Sequence, residues 1–85
     1  MQFLLMFKVN ADRVKEFSAF SKQRGKVAGI NLLFDVETPT GSGAAVVDAE
    51  NDEALYRWFV PIRQFFTEAR IEPAMDVRRL ITITQ

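Results

Sequence analysis

The sequence predicts an α+β domain with elements in the order βαββαβ. Apolar residues alternate with period two near residues 3–9, 30–37 and 44–49, the signature of strands. Two segments between them carry apolar residues at helical spacing and begin at capping residues. A length of 85 residues leaves room for a single domain, 1–85. The order is that of the ferredoxin-like split βαβ arrangement, a four-stranded antiparallel sheet with two helices on one face.

The first strand places Phe3, Leu5, Phe7 and Val9 on one side and Leu4, Met6 and Lys8 on the other. Asn10 and Asp12 then offer capping oxygens, and Val14, Phe17 and Phe20 recur along a helix of about three turns. Gly25 supplies the left-handed stop. In the second strand Ile30, Leu32, Phe34 and Val36 face one way and Asn31, Leu33, Asp35 and Glu37 the other. Pro39-Thr40-Gly41-Ser42-Gly43 reads as a hairpin turn into a third strand, Ala44 to Ala49, whose small side chains predict a close approach by another group.

Asn51 or Asp52 caps a second helix, with Asp52 and Glu53 at the positive end of its dipole. Leu55, Phe59, Ile62 and Phe66 form its expected buried stripe. Pro61 lacks an N–H and clashes with the preceding turn, so a kink or break is expected there. Residues 67–75 resume a strand pattern, and 76–85, with Leu80-Ile81-Thr82-Ile83-Thr84, reads as an extra C-terminal strand.

Eleven basic and eleven acidic residues balance to zero net charge, which argues against a polyanion-binding protein and hence against nucleic acid. The charges are segregated: residues 8–26 are predominantly basic, and the six charges of residues 35–53 are all acidic. The absence of cysteine excludes disulfides, thiolate metal sites and thiol nucleophiles. The absence of histidine removes the usual general base near neutral pH, the commonest metal ligand and the axial haem ligand. Neither a metal nor a cofactor is expected. The apolar run Phe3–Phe7 is too short for a signal h-region or a membrane span, so a cytoplasmic protein with no membrane partner is expected. Eight phenylalanines exceed what so small a globule readily hides, and self-association relieves that excess.

Gly41-Ser42-Gly43 leading into Ala44–Ala49, then Asn51-Asp52-Glu53-Ala54-Leu55 with Trp58 and Pro61, and finally Ile71-Glu72-Pro73, together resemble an uncharacterised family of short dimeric α/β-barrel proteins. The resemblance covers most of residues 1–75. It implies a homodimer whose two four-stranded sheets pack face to face. Its superfamily also holds small monooxygenases, lactone isomerases and haem-degrading proteins, whereas the family itself carries no assigned function.

Chemistry-bearing residues are few. Asp35 and Glu37, two apart on a strand, share a face, as a carboxylate pair for acid/base work or cation binding would. A solvated or rim face is the favoured reading, since nothing in the chain brings a third ligand to the pair. Gly41-Ser42-Gly43 lacks the Lys-Ser/Thr and the following helix of a phosphate cradle and reads as a turn. Trp58, Phe59, Phe65 and Phe66 stand opposite a sheet face bearing Phe34, an arrangement suited either to a packed core or to a pocket for an apolar or aromatic ligand. The candidate pocket comprises Phe34, Trp58, Phe59 and Ile62, with Asn31, Asp35, Arg63 and Arg70 as polar groups. The leading expectation is a homodimeric small-molecule-binding or structural module. Its alternative is a cofactor-independent enzyme of the monooxygenase or isomerase type, which requires one of those polar groups to reach the pocket.

Overall fold

The computed structural model describes residues 1–85. Strand β1 (Gln2–Val9) leads through a 3-10 turn (Ala11–Arg13) into helix α1 (Val14–Arg24). Strands β2 (Ile30–Glu37) and β3 (Ser42–Ala49) follow, then helix α2 (Asp52–Arg63), strand β4 (Phe66–Ala74) and helix α3 (Val77–Thr84). The fold is α+β, with a four-stranded antiparallel open sheet in the order β2-β3-β1-β4 and three helices. The connection from β1 to β2 passes over β3, and that from β3 to β4 passes over β1.

Local chemistry sets the element ends. The Asn10 side chain accepts from the Asp12 N–H at 3.0 Å, and that of Asn51 accepts from the Ala54 N–H at 2.9 Å, so each satisfies an orphan donor at a helix start. Gly25, at φ +58°, ends α1 in a conformation that side chains other than glycine rarely adopt.

The core lies between one sheet face and the helices. Leu5 and Val9 of β1 and Val47 of β3 are almost wholly buried, and α2 adds Ala54, Leu55, Trp58 and Ile62. Each large apolar side chain buried in this way contributes about 1.5–3 kcal/mol. Helix α1 buries no residue fully, but Val14, Phe17 and Phe20 pack against the core. Phe7 stacks on Phe66 at 4.7 Å between centroids, and Phe17 meets both Phe65 and Phe66, which binds α1 to the β1–β4 end of the sheet.

Four sequence expectations are corrected. Strand β2 is not a simple alternation: Leu32 pairs with Val47 and Phe34 with Val46, so Leu33 is an extra residue in a β-bulge. The extra residue moves Phe34 and Val36 to the open sheet face and turns Asp35 and Glu37 to the helix side, opposite the assignment by alternation. Residues 77–84 form a helix rather than a strand. Helix α2 runs unbroken through Pro61, because a proline two residues from the helix end removes one backbone hydrogen bond, that to the Arg57 carbonyl, and disrupts little beyond it. Phe66 opens β4 instead of extending the helical stripe, and Trp58 is buried where Phe59 is only half-buried.

Candidate functional site

A pocket of about 120 Å³ opens between the sheet and the two long helices. Its floor is Leu5, Phe7 and Ala45, all buried on the helix side of the central strands. Phe17 of α1, Trp58 and Ile62 of α2, and Phe66 of β4 form its apolar walls. The rim is polar: Ser21 and Arg24 come from the last turns of α1, and Asp35 comes from β2 beside Leu32. Asp35 reaches this rim only because the bulge at Leu33 inverts the face of the residues that follow it.

The two charged rim groups are held differently. Arg24 Nη1 donates to the carbonyl oxygen of Trp58 at 2.6 Å, and its guanidinium lies 5.5 Å from the centroid of the Phe20 ring. One protein acceptor occupies one of five guanidinium N–H groups, so the others remain available. Partial burial lowers the Arg24 pKa from its ordinary value, yet an arginine remains protonated at neutral pH. Asp35 accepts no hydrogen bond within the chain, and its carboxyl pKa is raised by desolvation. Arg24 and Asp35 form no ion pair; the ion pairs of the molecule are elsewhere, including Arg13 with Glu16 and Arg70 with Glu72.

The residues read from the sequence as a pocket are dispersed. Trp58, Ile62 and Asp35 line the cavity. Phe34 stands on the open sheet face, 54% exposed, so Trp58 shares its pocket with Leu32 and Asp35 rather than with Phe34. Asn31 borders an adjoining depression that also touches Trp58. Phe59 packs half-buried against the core, and Arg63 is exposed at the end of α2. Arg70 lies on the edge strand opposite Met6, held by Glu72. Arg24 and Ser21 escape sequence reasoning because α1 shows only its spacing; a guanidinium immediately before a helix-stopping glycine was the available signal.

The open face carries two apolar rows across the sheet. Leu4, Val46 and Phe34 are neighbours in register, as are Met6, Ala44 and Val36. A wider groove of about 740 Å³ separates α3 from the sheet end at Gln2, Asp48 and Ala74. Its far wall is a helix that buries none of its residues, so it lacks the enclosure that desolvates a ligand. No helix is long and apolar enough to cross a membrane.

No curated protein and no solved structure matches the chain. The family described as "Domain of unknown function (DUF3303)" matches residues 1–85, and the chain belongs to that family.

Proposed function

We propose that the protein is a homodimeric small-molecule-binding module, each copy holding a small apolar or aromatic ligand between its sheet and helices. The observation that carries this reading is the pocket itself: an apolar floor and largely aromatic walls with two charged groups, Arg24 and Asp35, that are not consumed by one another. Ligand sites have this composition, mostly apolar with a few placed polar groups that fix orientation.

The dimer in this reading is a ferredoxin-like pair whose sheets meet face to face as a dimeric α/β barrel. Exposed Met6, Phe34 and Val36 and half-buried Leu4 and Val46 form a continuous apolar surface of the kind that marks an association site. A second, enzymatic reading has one supporting observation, the Asp35 carboxyl at the pocket rim, exposed to solvent yet desolvated enough on its pocket side to raise its pKa, which suits proton transfer to or from a bound substrate without a cofactor.

Trp58 lines the pocket and is the sole tryptophan, so its emission reports occupancy. Titration with single-ring aromatic compounds should give a saturable change, while sedimentation at micromolar concentration should give a dimer. A flat fluorescence response across such compounds refutes the binding module; a folded monomer refutes the dimer.

A further inference from the structure

We infer that the pocket ligand is a hydroxylated monocyclic aromatic acid, its carboxylate on Arg24 and its hydroxyl on Asp35. This rests on the reading of the pocket as a ligand site and adds the ligand's chemical class.

Three observations set that class. The first is size. A dry cavity of about 150 Å³ accommodates benzene, and this one, at about 120 Å³, is smaller than that but open at its rim, so a guest is limited to a single ring that extends through the opening, its substituents outward, and a fused system is excluded. The second is the wall chemistry: Phe17, Trp58 and Phe66 offer ring faces and edges from three elements, suited to a planar aromatic guest.

The third is the rim. Arg24 is anchored through one N–H to the Trp58 carbonyl, which fixes the guanidinium while leaving donors free. A planar guanidinium pairs with a carboxylate through two parallel N–H···O bonds, so an acid is its natural partner. Asp35 stands at the same rim with no donor from the protein. An ionised carboxylate only accepts, and at this exposed rim position a ligand hydroxyl takes the place of a water donor. The two protein charges do not neutralise each other, so a ligand with one anionic and one donor group answers both. An uncharged hydrocarbon answers neither, and a cation would leave the Arg24 donors unpaired, whereas in the acid the carboxylate is held at Arg24 and the neutral hydroxyl is the group that meets Asp35.

The test is a titration of Trp58 emission with toluene, phenol, benzoate, and 3- and 4-hydroxybenzoate at pH 7.5. At least one hydroxybenzoate should bind ten-fold or more tighter than benzoate and phenol. Arg24→Gln should remove the advantage of the carboxylate and Arg24→Lys should retain part of it. Asp35→Asn should reduce the advantage of the hydroxyl, read as the ratio of hydroxybenzoate to benzoate affinity within that variant. Thermal melts confirm that each variant is folded; the Asp35 variant keeps the test decisive if Arg24→Gln unfolds. Saturable binding of toluene or phenol that is weakened by adding a carboxylate overturns the ligand class and leaves the pocket reading standing. Absence of binding by every compound overturns both.

Discussion

Phe7 and Gly43 face one another across the β1–β3 ladder, and the Phe7 ring occupies the space that a side chain on Gly43 would need. A Cβ there would collide with the ring edge and with the Val36 carbonyl oxygen. The same ring stacks on Phe66 and forms part of the pocket floor, so this glycine sets the depth of the site. Gly43→Ala should therefore destabilise the protein by about 1–3 kcal/mol through overpacking. Urea unfolding measures it, and adding Phe7→Leu to the alanine variant should recover part of the loss, since contacting residues couple. Additive effects of the two changes would refute the contact.

The Arg24–Trp58 hydrogen bond ties the last turn of α1 to the middle of α2. Removing the guanidinium with Arg24→Gln should cost about 1.5–3 kcal/mol, the range for a hydrogen bond made by a charged donor. Its partial exposure places the loss toward the lower end. A midpoint shift in chemical denaturation at constant slope checks this.

Asp35 imposes a pH dependence of definite sign. Desolvation raises its folded pKa above the unfolded value, so the folded state retains the proton longer. Stability is then undiminished below the ordinary carboxylate range and falls as pH rises through it to the raised folded pKa. Arg24, the other charged group at this rim, stays protonated throughout that window and leaves the sign unchanged. Asp35→Asn should remove this component and stabilise the ligand-free protein at neutral pH. Melting temperatures of the two proteins between pH 3 and 8 should diverge with rising pH; parallel curves would refute the assignment.

Val46 lies at the centre of the open face, between Leu4 and Phe34 in register. Under the proposed dimer, Val46→Lys places a charge in a desolvated interface. Sedimentation should shift from dimer to monomer, with far-UV dichroism unchanged at concentrations where the monomer stays folded. Leu33→Lys, at the bulge, should act in the same direction. A lysine variant that remains dimeric would move the interface to another surface.

Much of the architecture is legible in the residues because its causes are local. The alternation of Phe3, Leu5, Phe7 and Val9 specifies β1, the caps at Asn10 and Asn51 start the helical segments, and Gly25 stops α1. Missing cysteine and histidine bound the chemistry by composition alone. Trp58 and Ile62 fall on the pocket side of α2 because helical spacing puts them on the face that docks.

What only the tertiary structure decided depends on pairing between distant segments. The run Leu80–Thr84 is apolar and β-branched enough for a strand, but the residues instead satisfy their groups locally: Asp76 accepts from the Arg78 N–H at 2.9 Å, and the Thr82 and Thr84 hydroxyls donate to the Arg78 and Leu80 carbonyls at 3.0 Å. The bulge at Leu33 is likewise invisible to periodicity, since it is a mismatch between β2 and the register of β3. One unpaired residue exchanges the faces of everything after it, sending Phe34 outward and bringing Asp35 to the rim it shares with Arg24. A sequence specifies the period of each strand, but the face each residue presents is fixed only when the partner strand sets the register.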